Sequence, residues 1–193
     1  MASDGNSLLF SMGAMGQFLG EIAFWVTDVT VLSSVLALIE IVIEKDRGWA
    51  SAFDEVGWGR KLLAGTAVVR WIDKPYVTSY HFLVFGALLP IVLWAQYRIG
   101  IVHRFAASSH SDHPIADLLF FFSAFLAICI LEDFLWFVLN WHYPSSLTDL
   151  LAGDVWWHTR WIPLGPSVKL PRCYVSVGGA ALCLLAISIA LSR

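Results

Sequence analysis

Residues 116–140 read ADLLFFFSAFLAICILEDFLWFVLN. After Asp117 the run carries no charge until the adjacent pair Glu132-Asp133, and its apolar residues follow neither strict alternation nor a clean amphipathic stripe. At about 1.5 Å per residue, a helix of this length crosses the roughly 30 Å hydrocarbon layer of a bilayer. Three more runs of the same kind cover 20–43, 79–97 and 174–191, and the first ends at the charged stop Glu44-Lys45-Asp46-Arg47.

Composition agrees. The chain is 58% hydrophobic and 14% charged, with a mean hydropathy of +0.70, which leaves too little polar surface to coat a water-soluble globule. Lipid offers the backbone no hydrogen bonds, so spans must be helices or a closed barrel, and long unbroken apolar runs select helices. The expectation is an all-α, polytopic integral membrane protein: one transmembrane domain over 1–193, built as a four-helix bundle.

Between the first two spans, Trp49, Phe53, Val56, Leu63 and Ala67 recur at helical spacing, with Arg60, Lys61 and Arg70 placed to snorkel and Trp58 and Trp71 nearby. This pattern predicts an amphipathic helix lying in the interface. In the fourth span, Ser176, Gly178, Gly179, Ala180 and Ala181 offer a small-residue face for close packing, and Pro90 predicts a kink in the second.

The net charge of -3 is spread out and no Lys/Arg block is present, so nucleic acid is not expected as a partner. Residues 1–20 contain no Lys or Arg, so the first span is expected to stay in the mature protein rather than be cleaved as a signal peptide. Cys129, Cys173 and Cys183 form no C-x-x-C pair and fall in or beside apolar runs, where a thiol behaves as a small hydrophobe. Loops 44–78 and 141–173 share one side and hold nine Lys/Arg, against three (Arg98, Arg104, Arg193) on the other, which predicts that the former are cytoplasmic.

The acids of the third span need an explanation. Each costs about 2.5–3.5 kcal/mol near the bilayer centre, and the Leu, Ile, Val and Phe of the span together return about 4–8 kcal/mol, so insertion is close to break-even. Intramembrane carboxyls therefore default to a functional reading. Glu132, Trp136 and Asn140 follow at i, i+4, i+8, which places these polar groups on one broad face.

Alternating helix direction brings Glu40, Tyr80, His81, Glu132, Asp133 and Asn140 to similar depth, below a loop carrying His142, Asp154, His158 and Arg160. Seven tryptophans (Trp49, Trp58, Trp71, Trp141, Trp156, Trp157, Trp161) stand in the two loops of that face, at the expected level of lipid headgroups. Such a His/carboxylate cluster suits proton transfer, with Glu132 or Asp133 as general acid/base, His158 as partner and Asn140 as orienting donor. Glu132, Asp133, His81 and His158 could equally ligate a divalent metal, zinc or iron.

The bland readings are interhelical glue for Glu132 and Asp133, an interfacial carboxylate for Glu40, and interfacial aromatics for His81 and His142. Glu21, Trp25 and Asp28 share a face of the first span, as an ion path or as glue against Arg98 or Arg104. The tract His110-Ser111-Asp112-His113-Pro114 resembles a metal site but reads better as the capped start of the third span. No G-x-S-x-G, Walker lysine, H-E-x-x-H or Gly-rich dinucleotide loop is present.

Together these features predict a small membrane-embedded enzyme acting on a membrane lipid or other hydrophobic substrate at one membrane face. The alternatives are a transporter or ion-conducting protein lined by Asp28, Glu132 and Asp133, which would require a homo-oligomer, and an accessory subunit that binds a partner's helices.

Overall fold

The computed structural model describes residues 4–49, 61–99 and 114–192, without the side chains of 4–15, 17 and 97–99. Helix α1 spans Asp4–Glu44, and its apolar part, Phe18–Glu44, is the first span. A strand pair, β1 (Lys61–Leu62) and β2 (Val77–Thr78), brackets a one-turn helix α2 (Ala67–Trp71). The second span, Ser79–Gln96, runs through α3 (Ser79–Leu83), a π-helical turn (Val84–Leu88) and α4 (Leu89–Ile99). The third is α5 (Pro114–Leu139) and the fourth is α7 (Arg172–Leu191). Between them lie α6 (Ser146–Ala152) and the antiparallel pair β3 (Trp161–Pro163) with β4 (Lys169–Pro171). Among the described residues, four helices are thus long and apolar enough to cross a membrane.

Helix α5 is the hub, packing along α7 on one side and along α1 on the other. Mid-bundle, Val29, Leu89, Leu93, Ala124 and Ile128 form one buried cluster. Hydroxyls tie the helices at their contacts: Ser33 donates to the Ile128 carbonyl (3.3 Å), Ser123 to that of Ala181 (2.8 Å), and Ser188 to that of Ala116 (2.7 Å). In an apolar medium such bonds satisfy groups that have no water to turn to. Large side chains on the outer faces, among them Val31, Val42, Ile91, Leu118 and Leu182, stay exposed, as lipid-facing positions would.

Of three local expectations, two change and one, the irregularity at Pro90, takes the form of a π-turn. The packed stripe of α7 is Cys173, Val177, Ala181, Leu185 and Ser188, while Gly178 and Gly179 would meet nothing within 4 Å if given a Cβ. Of the small-residue face, Ala181 makes the contact, whereas Gly178 and Gly179 fall off the four-residue spacing that tracks α5. At Pro90 the ring would meet the carbonyl of Gly86, and the chain answers with a π-turn in which the Leu89 N–H donates to the Val84 carbonyl.

The third concerns the interfacial helix. Phe53, Val56, Trp58 and Arg60 lie outside the described residues, and the described remainder is not one continuous helix: Lys61–Leu62 pairs with β2, and Leu63 takes a positive φ of 55°.

A second core sits at the loop end of the bundle. Ile41, Trp136, Phe137, Leu150, Val155 and Trp157 pack together there, with Phe137 stacked on Trp157 at 5.6 Å between ring centroids. Trp157 is therefore a core residue rather than a headgroup-level aromatic, whereas Trp71, Trp141 and Trp156 are half exposed. Gly48, at φ +64°, lets the chain leaving α1 pass against the Trp157 ring with no room for a Cβ.

Candidate functional site

The two loops meet at Asp73, a fully buried carboxylate just before β2. Its Oδ1 accepts from the Thr159 hydroxyl (2.6 Å) and its Oδ2 from the Arg160 N–H (2.9 Å), while its carbonyl accepts from the Thr159 N–H (3.3 Å). This clamp fixes two neighbours: Lys74, the next residue in the first loop, and His158, the residue before Thr159 in the second.

Both converge on Asp133 of α5. Lys74 Nζ donates to Asp133 Oδ1 at 2.9 Å, the Tyr174 hydroxyl to Oδ2 at 2.7 Å, and His158 Nε2 stands 3.1 Å from Oδ2. A carboxylate oxygen accepts only, so two lone pairs at 3.1 Å would repel; the proton therefore belongs on His158 Nε2. Nδ1 is then a free lone pair, and it faces the Cys173 thiol, Sγ lying 3.8 Å away. Lys74 also stands 4.4 Å from the Trp49 ring centroid, a cation–π contact that a desolvated ammonium would otherwise lack.

Burial pushes the His158 imidazole below the usual histidine range, and the neighbouring Lys74 ammonium adds to that; the carboxylates of Asp133 and Asp73 act in the opposite direction without overcoming it. His158 is thus a neutral base with a carboxylate behind it.

Beside it, starting from the adjacent residue of α5, is a second group. Glu40 of α1 and Glu132 of α5 are both buried and hydrogen-bonded to each other, which requires a proton on one of them. The Oε1 atoms of both make no hydrogen bond. His81 sits at the edge of this pair, its Nε2 3.9 Å from Glu40 Oε1. Its Nδ1 is held by the hydroxyl of Thr78, the N-cap of α3, at 2.7 Å, and its ring stacks on Trp49 at 4.1 Å between centroids.

Members of both groups line a cavity of about 320 Å³, whereas His158 and Tyr174 reach it only through Asp133 and, for His158, Cys173, and do not line it themselves. Glu40, Lys74, His81, Glu132, Asp133 and Cys173 supply its polar part, and side chains of the second, third and fourth spans, including Phe85, Phe125, Ile130 and Val177, supply its walls. Leu63, Val68, Trp71 and Phe82 line it as well and are each about half exposed, which marks its mouth. Its dimensions and apolar walls suit a hydrophobic small molecule.

Of the residues singled out in the sequence, Glu40, His81, Glu132, Asp133 and His158 are brought together. Asn140 is not: it donates to the Lys45 carbonyl (2.6 Å) and accepts from the His142 N–H (3.0 Å), and so ties the end of α1 to the end of α5. His142 and Asp154 are exposed, and Arg160 pairs with Asp73. Asp28 is hydrogen-bonded to Gln96 within the bundle, and Trp25 donates to Ser123 (3.1 Å). Arg104 and the His110–His113 tract lie outside the described residues, as does the side chain of Arg98.

Among the described residues no group of three or more His, Cys, Asp and Glu side chains is arranged to hold a metal. The partners that reach Asp133 are an ammonium and a phenol as well as an imidazole, a donor set that serves a charge rather than completing a coordination sphere.

Sequence reasoning missed Lys74, Asp73, Tyr174 and Cys173. The only local signal for the first two is a charged pair set between Trp71-Ile72 and Pro75. Tyr174 and Cys173 stand in the first turn of a span, where their chemistry is hidden by an apolar neighbourhood.

Comparison with protein-family models, with curated proteins and with solved structures finds no match to this chain.

Proposed function

We propose that this protein is a small membrane-embedded enzyme acting on a membrane lipid or similar hydrophobic substrate at one membrane face, with His158 and Asp133 as its acid/base machinery. The observation that carries the reading is the placement of Asp133: three donors within 3.1 Å, at the floor of an apolar cavity. A carboxylate needed only as interhelical glue has no reason to sit against open space beside a neutral imidazole. Glu132, hydrogen-bonded to Glu40, is a second proton carrier on the same floor. His81, held by Thr78, lies on the cavity wall as a further imidazole.

The positive-inside excess, nine Lys/Arg against three, puts this face on the cytoplasmic side. A substrate would enter from that leaflet with its apolar part among Phe82, Phe85 and Phe125 and its polar part toward Lys74 and Asp133.

The test compares lipid extracts of cells expressing the wild type, Asp133→Asn or His158→Gln by mass spectrometry. At least one lipid class should change with the wild type and return to the level of non-expressing cells with either variant, while both variants elute as folded protein in detergent. Identical lipid profiles in all strains would refute the assignment. Proteoliposome flux of protons or cations that depends on Asp28 would replace it with a conducting role.

A further inference from the structure

We infer that Cys173 is the nucleophile of this site and that the substrate class is an acyl ester, whose acyl group the sulfur takes up as a transient thioester. The inference rests on the acid/base reading of His158 and Asp133 and gives it a reaction. Four observations meet at this residue. Its thiol faces His158 Nδ1 at 3.8 Å, the imidazole nitrogen left unprotonated once Nε2–H is given to Asp133 at 3.1 Å. Nucleophile, base and orienting carboxylate therefore stand in the order that nucleophilic acyl transfer uses, recognised by geometry and not by sequence spacing.

Cys173 also stands in the first turn of α7, a 20-residue helix, where the N-terminal end of the dipole favours developing negative charge on sulfur. It lines the cavity together with Lys74. Positive charge at that position would face a carbonyl oxygen as it becomes an oxyanion. The remaining wall is apolar over most of its area and leads to a half-exposed mouth, which suits an acyl chain better than a polar acyl donor.

The step balances without an outside reagent. Sγ attacks the ester carbonyl carbon; the thiol proton passes to His158 Nδ1; the C–O bond breaks and the alkoxide takes that proton from His158 to leave as an alcohol. Water, activated by the same nitrogen, then attacks the thioester, releasing the fatty acid and restoring the thiol. Asp133 stays ionised throughout and holds the imidazolium while it exists.

The experiment incubates the full-length protein in detergent with p-nitrophenyl palmitate and follows p-nitrophenol release together with peptide mass mapping. A hydroxylamine-labile palmitoyl group is expected on Cys173. His158→Gln should slow its formation by roughly 100-fold or more, the range of a lost general base, and Cys183→Ala, at an exposed position on the same helix, should leave it unchanged. Cys173→Ser preserves the size of the side chain, and gel filtration checks that it folds; it should carry no thioester.

No adduct on Cys173, an equal rate in His158→Gln, or labelling of Cys183 instead would overturn the proposal. Lipid profiling of cells expressing Cys173→Ser separates the two readings. A lipid change that survives Cys173→Ser but not Asp133→Asn refutes the nucleophile and keeps the acid/base site; a change lost in both supports the nucleophile; no change with the wild type refutes the enzyme.

Discussion

Replacing Lys74 by Met keeps an unbranched apolar stem one atom shorter and removes the ammonium, so it targets the ion pair at the centre of the site. The Lys74 and Asp133 side chains are 6% and 15% exposed, at 2.9 Å. Breaking a buried pair from one side costs about 3–5 kcal/mol, because the other charge stays behind. Here the lower end applies, since Tyr174 and His158 still donate to Asp133, and His158 can take up a proton once the ammonium is gone. Loss of the contact over Trp49 adds about 0.5–1 kcal/mol.

Lys74→Met should therefore destabilise the protein by about 3.5–4 kcal/mol, and Asp133→Asn by a similar amount, as it strands the lysine. The double variant removes both charges and should cost much less than the sum, a coupling of about 2–3 kcal/mol. Equilibrium unfolding in mixed micelles of rising SDS content measures all four corners of the cycle. A Lys74→Met variant within about 0.5 kcal/mol of wild type, or costs that add to within about 0.5 kcal/mol, would show that the pair is not buried as described.

His158 ties stability to pH. The unfolded chain protonates its histidines near pH 6.5, and the folded protein resists protonation of this one, so between the two values the unfolded state binds more protons. Its contribution is therefore complete above about pH 6.5 and shrinks as pH falls below it; unfolding at pH 7.5 and 5.5 should show the loss in the wild type and a smaller one in His158→Gln. Because Lys74 helps depress this histidine, Lys74→Met should raise the His158 pKa in an NMR titration, and a fall would contradict the assigned geometry.

Asp73→Ala deletes the acceptor for Thr159 and Arg160 and should cost about 2–3 kcal/mol. Asp73→Asn keeps an acceptor at a position with φ of 60° and should cost less, as thermal melting in detergent would read. Gly48→Ala would drive a methyl into the Trp157 ring at φ +64°, so a loss of about 2–3 kcal/mol is expected; an unchanged melting temperature would mean that the ring yields.

The helices were legible because hydrocarbon imposes one requirement, an unbroken apolar run of sufficient length, and 116–140 or 174–191 meet it in one dimension. Glu132 and Asp133 were legible for the complementary reason: their insertion cost is visible without a structure. Their partners were not. Lys74 lies in a polar loop where any lysine looks ordinary, and only the clamp from Asp73 to Thr159 carries it into the bundle. Cys173 has no sequence context that distinguishes it from Cys129 or Cys183; what sets it apart is a distance of 3.8 Å to an imidazole fifteen residues earlier. Asn140 shows the converse error, since correct periodicity placed it on the right face yet its amide serves the end of α1.

The insertion cost also changes meaning once the contacts are known. Two bare acids in the third span would nearly cancel its apolar gain, but Asp133 enters as a member of a hydrogen-bonded group, and that group draws on three separate parts of the chain. Lys74 precedes the third span, whereas His158 and Tyr174 follow it, so the carboxylate is fully compensated only after the fourth span is in place. The contacts that complete the bundle are then the same ones that assemble the proposed acid/base groups, and a variant at Lys74, Asp133 or Tyr174 disturbs both at once. Loss of activity in such a variant cannot by itself distinguish chemistry from assembly. Cys173 makes no hydrogen bond to Asp133 and contributes nothing to its compensation, so Cys173→Ser is the substitution in which the two effects come apart: stability should stay within about 1 kcal/mol while acyl transfer is lost.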